Sequence, residues 1–204
     1  MPVEEATREM SVSPAKEDAL RAQMYRFLAR LLASAPDKAL LKATADMKGD
    51  ETALGKAMLS FGKLAAKTDP AQAEEEYHDL FIGVGRGELL PYGSYYLTGF
   101  LHEKPLSKLR NDMARLGIQR SESAKEPEDH IAALLDMMAG LITGEFGEPA
   151  PLAEQKKFFE AHISNWAGHF FADLEGAKSS VLYAALGSIG RSFMEIEATA
   201  FSMS

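Results

Sequence analysis

Five consecutive residues, Glu126-Pro127-Glu128-Asp129-His130, place three carboxylates and one imidazole in a single short stretch. Two kinds of chemistry suit such a set: acid–base or metal-assisted catalysis, and electrostatic capture of a cationic ligand. A metal site drawn from Glu126, Glu128, Asp129 and His130 has one histidine and lacks the paired-His spacing of a zinc helix. A purely structural account competes with both. Pro127 at a first helical position, with acids around it, complements the helix dipole at about 0.3–1 kcal/mol per acid. Helical geometry then puts Asp129, Ala133 and Asp136 on one face and His130 over Leu134 and Met137, so His130 is expected half buried with Asp129 exposed beside it.

A second group is aromatic. Tyr77, Phe81, Tyr92, Tyr95, Tyr96 and Phe100 flank the chain's largest break, residues 83–93, which holds Gly83, Gly85, Gly87, Gly93 and Pro91. The run Gly83-Val84-Gly85-Arg86-Gly87 lacks the Gly-Lys-Ser/Thr end of a phosphate loop and follows no strand, so its glycines serve tight turns. Rings at helical spacing commonly build core. Fringed by Glu74–Glu76, Glu88, Asp129 and His130, they would also suit an extended peptide with an apolar part and a cationic part. A third group, His162, Trp166 and His169, reads as one side of a long aromatic helix, with Asp173 pairing to His169 four residues earlier. No serine has the strand–turn–helix setting of a hydrolase nucleophile.

Composition narrows the field further. Without cysteine there is no disulfide framework, thiolate metal site or thiol nucleophile. With 22 Lys+Arg against 30 Asp+Glu the net charge is −8, which disfavours nucleic acid as a partner and allows a cationic one. There is no run of about 18 apolar residues to span a bilayer. The first ten residues, MPVEEATREM, are acidic and polar, unlike a secretory signal, so the expected location is the cytoplasm.

The elements that must position these groups are all helical. Residues 1–16, polar and holding Pro2 and Pro14, read as a flexible tail. Leu20, Met24, Phe27, Leu28, Leu31 and Leu32 mark a helix ending before Pro36, and Asp37 caps the next. Residues 38–66 divide at Gly49-Asp50 into a hairpin, and Asp69-Pro70 starts a helix that stops at Gly83. Further helices are predicted over 105–116, from the Glu126–His130 segment to about Ile142, over 158–174 and over 182–200. No stretch alternates as a strand would. Residues 17–204 are therefore expected to form one all-α domain of seven to nine helices, with 118–125 or 144–151 as a hinge through which two chains could exchange helices. A monomer is the other expectation.

Three segments in order carry a resemblance: Glu76-Tyr77-x-x-Leu80-Phe81-x-Gly83, then Pro91-Tyr92-x-Ser94-x-Tyr96-Leu97, then Glu126-Pro127-x-Asp129-His130-Ile131. Together they resemble the TorD/DmsD/NarJ family of molybdoenzyme maturation chaperones over roughly residues 17–200, and the stretch with His162, Trp166, Phe170 and Leu174 is similar to its C-terminal half. The resemblance implies an all-α chaperone without turnover. Such a protein binds the twin-arginine signal peptide or the body of an apo-oxidoreductase and delays export until the molybdenum cofactor is inserted. By position it assigns client binding to Tyr77, Leu80, Phe81, Pro91, Tyr92, Ser94, Tyr96, Glu126, Pro127, Asp129 and His130. Some members are also linked to guanine nucleotide; no other cofactor is implied. Some relatives carry tryptophan after the position of Gly83 and at position 92, where this chain has Val84-Gly85-Arg86 and Tyr92, a smaller aromatic surface.

The expected mechanism follows. Asp129 and the nearby glutamates would attract the paired arginines through bidentate charge-assisted bonds, the rings would cover the apolar part of the signal, and His130, at its ordinary pKa near 6.5, would tune the charge. Two alternatives differ in kind: a NarJ-like chaperone gripping the body of a cytoplasmic catalytic subunit, and an enzyme using the Glu126–His130 cluster with a metal or nucleotide.

Overall fold

The computed structural model describes residues 16–121 and 124–203, so the proposed tail lies outside the described residues except for Lys16, which begins the first helix. Ten α-helices follow: α1 (Lys16–Ala33), α2 (Lys38–Ala45), α3 (Ala53–Ala65), α4 (Pro70–Tyr77), α5 (Gly93–Thr98), α6 (Lys104–Arg115), α7 (Ile131–Thr143), α8 (Leu152–His162), α9 (Ala167–Gly176) and α10 (Leu182–Ser202). A π-helical turn, His78–Ile82, continues α4. Among the described residues the only β-type pairing is one bridge between Tyr92 and His130. No helix among them is long and apolar enough to cross a membrane.

Local chemistry explains most boundaries. Asp37 accepts from Leu40 N at the start of α2, Thr52 from Gly55 N at the start of α3, and Asp69 forms a capping box with Gln72 ahead of Pro70. Gly144 ends α7 with φ 80°. The centre is α7: ten of its thirteen residues are buried and Asp136 is its one exposed residue, so its apolar stripe is wide and the helix is sheathed on most sides. It packs on α1, while α10 packs on α9 and α3. α9 and α10 meet closely enough that a Cβ on Gly190 would stand 2.2 Å from the Phe171 ring.

Two expectations fail. The helix over 158–174 is two helices, broken at Ile163–Trp166, and this break with the short α5 takes the total above nine. His162 and His169 therefore do not share a helix; His162 pairs with Asp112 at 2.9 Å, and Asp173 accepts from the Tyr96 hydroxyl at 2.8 Å instead of pairing with His169. The Glu126–His130 segment also precedes its helix instead of opening it. His130 is the N-cap, its Nδ1 accepting from Ala132 N at 3.2 Å, so Pro127 is not a first-turn residue. Of the two proposed hinges, 118–125 includes residues 122–123, outside those described.

Candidate functional site

The 83–93 loop and the 126–130 turn are joined backbone to backbone. Ile131 N donates to Pro91 O at 2.8 Å and Gly93 N to Asp129 O at 2.9 Å. Asp129 Oδ2 accepts from Ser94 N at 2.7 Å, so this carboxylate caps α5 from a segment 35 residues away, at the positive end of that helix's dipole. The Tyr92 hydroxyl donates to Glu126, and the Tyr92 and His130 rings meet edge to face at 5.2 Å. Glu128 accepts a bidentate pair from Arg110 at 2.8 and 3.1 Å. The result is a clasp.

Trp166 backs the clasp. Its Nε1 donates to His162 O at 2.7 Å, closing the break between α8 and α9, and its ring lies 5.3 Å from that of Tyr96. Gly93 lies close beneath it: a Cβ there would stand 3.1 Å from Nε1, a tight contact that would press on the indole. On the other side of the loop Tyr77, Phe81 and Tyr183 form a ring cluster with centroids 5.1–6.0 Å apart.

These placements divide the expected site residues. Leu80, Pro91, Ser94, Asp129 and His130 are buried, Asp129 at 3% and His130 at 6% exposure. They hold the surface together and do not form it. Tyr77, Phe81, Tyr92, Tyr96 and Pro127 are partly exposed, and Glu126 is exposed, so these are the groups a ligand can touch. The expectation that Asp129 faces solvent is thereby corrected: the Ser94 N–H in the first turn of α5 holds its carboxylate inward. Asp129 Oδ1 and Ser94 Oγ are both buried and have no hydrogen-bond partner among the described residues. Glu76 and Glu88 are likewise taken up by backbone N–H groups and do not fringe the aromatic clasp. Glu76 accepts from the N–H groups of Val181, Leu182 and Tyr183 at the start of α10, and Glu88 from those of Lys178 and Ser179.

Charge beside the clasp is mixed. A cleft of about 370 Å³ next to Pro127 is lined by Tyr92, Arg110, Arg120, Lys125 and Glu126, a set richer in cations than the sequence suggests. Carboxylates gather instead on α4 and its π-turn, where Glu75, Glu76 and Asp79 line a cavity of about 450 Å³. Among the described residues no three His, Asp or Glu side chains converge as metal ligands would. Arg110 is the participant that spacing alone does not single out; it and Glu128 are 18 residues apart and meet only in the fold.

Burial pushes the His130 pKa down to about 4, against the weaker opposing pull of Glu126 and Asp129. His130 is thus neutral at physiological pH, and its expected role in tuning charge is withdrawn. Between about 4 and 6.5 the unfolded chain takes up a proton that the folded chain refuses, so stability falls as pH falls through that window. The loss attributable to His130 is up to about 3 kcal/mol. Urea unfolding from pH 7 to pH 4.5 should show it, and His130→Asn, which keeps a capping acceptor, should flatten the profile. An unchanged slope would contradict the assignment.

Comparison with known proteins places these segments in context. A family model described as the nitrate reductase delta subunit matches residues 47–172, a span holding the loop, the turn and Trp166. Chaperone protein TorD of Vibrio atlanticus is 29% identical over 130 residues, 60% of each chain. Chaperone protein TorD of Vibrio parahaemolyticus is 30% identical over 103 residues, 47% of this chain and 48% of that one. The matches therefore span about half to three-fifths of these relatives' length. The crystal structure of a redox enzyme maturation protein from Archaeoglobus fulgidus aligns with 92% of this chain and 99% of its own, at a TM-score of 0.54 and 20% identity, a likeness of fold.

Proposed function

The chain belongs to the nitrate reductase delta subunit family, with residues 47–172 matching its model, and from this premise we propose that it is a maturation chaperone for a molybdenum-containing oxidoreductase. It acts without turnover in the cytoplasm, holding the client's twin-arginine signal peptide, its apo-subunit or both until the cofactor is inserted. The observation that carries this reading is the clasp itself. All three motif segments fall inside the matched span: the second and third are joined in the clasp, the first is tied to the loop through Leu89 N and Leu80 O, and half-exposed rings remain outside.

The geometry revises the mechanism. Asp129 is occupied and buried, so the paired arginines would meet Glu126 and the exposed Glu74 and Glu75, while Tyr77, Phe81 and Tyr92 cover the apolar part of the signal. Calorimetry with the signal peptide of the oxidoreductase encoded next to this chain is expected to show binding that weakens when Arg-Arg becomes Lys-Lys, by about 1–2 kcal/mol. Glu126→Gln should reduce that preference. Equal binding of both peptides would overturn the electrostatic part, and no binding would reject the signal peptide as ligand. The inaccessibility of Asp129 favours a second reading, grip on the body of the catalytic subunit, and co-purification with a leader-deleted client would support it.

A further inference from the structure

Elsewhere on the molecule an apolar trough of about 510 Å³ runs between α1, α3 and α10, with Met24, Phe27, Met58 and Phe193 among its lining residues. A second opening of about 520 Å³ extends it along α10, sharing Leu54, Ile196 and Ala200 and reaching Met203. Leu20 is 56% exposed, Ile196 49% and Met203 78%. Leu20 continues the row of Met24 and Phe27 on α1, and Ile196, Ala200 and Met203 continue that of Phe193 on α10. Two apolar stripes therefore run past the core they serve, and contiguous exposed apolar surface of this kind marks an interaction site. Methionines suit it to a partner of variable side-chain shape.

The charges around the trough say which partner. Arg21 lines the trough and is shared by Asp18 and Glu197, and Glu195 lines the second opening, where it accepts from Arg191, a residue that Glu175 also holds. Glu197 is buried against Arg21, whereas Asp18 and Glu195 remain at the surface, so the exposed rim carries carboxylates and neither arginine is free to meet an acidic partner. We propose that this trough docks an amphipathic helix of another protein, one whose apolar stripe is flanked by lysine or arginine. A helix laid along the trough would seat residues at i, i+3, i+4 and i+7 against Met24, Met58 and Ile196. The proposal is separate from the clasp and does not depend on the chaperone reading.

The test uses the full chain and a fluorescein-labelled peptide of about 18 residues, five helical turns, with leucines at those spacings and arginines at both ends. Its twin carries glutamate in place of arginine. Fluorescence anisotropy at low salt is expected to show the arginine peptide binding at least about tenfold more tightly than the twin, a preference that shrinks as ionic strength rises. The double variant Leu20→Ser/Ile196→Ser, at exposed positions, should weaken binding about tenfold with little change in thermal midpoint. Glu195→Gln should narrow the difference between peptides. Equal affinity for the two peptides, or indifference to the double variant, would overturn the proposal. So would a dimer in sedimentation that the double variant dissociates, or a cross-link from position 196 into residues 1–15, since a second copy or the chain itself would then be the occupant.

Discussion

Trp166→Ala is expected to lower the unfolding free energy by about 3–5 kcal/mol, because it empties a fully packed site and removes a hydrogen bond with it. Trp166 covers Gly93, packs on Tyr96 and Phe170, and donates to His162 O where α8 ends. Its loss uncaps that carbonyl and frees α5 from the layer beneath it. Urea unfolding followed by circular dichroism measures the effect. Trp166→Phe keeps much of the packing without the N–H and should cost about half as much. Because Trp166 is the only tryptophan, its emission in the wild type also reports on the clasp and should shift to the red in the same transition as the dichroism. A loss below about 1 kcal/mol for the alanine variant would mean that the break between α8 and α9 is held by something else.

Glu197→Ala carries a comparable effect where α10 meets α1. The Glu197 carboxylate is buried and accepts from Arg21 Nε and Nη2 and from the Tyr25 hydroxyl, each at 2.8 Å, tying α1 to α10. Removing one member of such a set costs about 3–5 kcal/mol, since the guanidinium and the phenol are left without their partner. Arg21 keeps Asp18 at 2.8 Å and Gln155 at 3.1 Å, which places the expected loss near the lower end. Replacing both charges, as Arg21→Met with Glu197→Leu, should recover most of it, because two desolvated charges are then replaced by apolar volume. If the double variant is as unstable as Glu197→Ala, the network supplies packing geometry that apolar side chains do not reproduce.

How much of this was readable from residue order depends on the range of the interaction. Asp37, Asp69-Pro70, Gly117 and Gly144 act within a turn or two, and each stands where its local chemistry predicts. The apolar rows of α1, α7 and α10 likewise emerge from the 3.6-residue period. The break at Ile163–Trp166 was not readable. No proline or glycine marks it, and it is stabilised by the indole of Trp166 folding back on the His162 carbonyl. His130 was misplaced for a related reason: helical periodicity continues through it, while the bridge to Tyr92 takes its backbone out of the helix.

By itself, then, the order of residues determined an all-α chain, the start of most helices and the three motif segments that place it in its family. Tertiary structure alone decided what those motifs do. Asp129, read as an exposed anion, became a buried cap for α5 because unpaired N–H groups at a helix start attract a carboxylate more strongly than solvent retains it in that position. Glu76 and Glu88 were drawn to the α10 end of the molecule by the same force, and Arg110 closed on Glu128 across 18 residues. Periodicity assigns a side chain to a face of its own helix; which donor waits opposite that face depends on how the helices pack, and no local spacing encodes it.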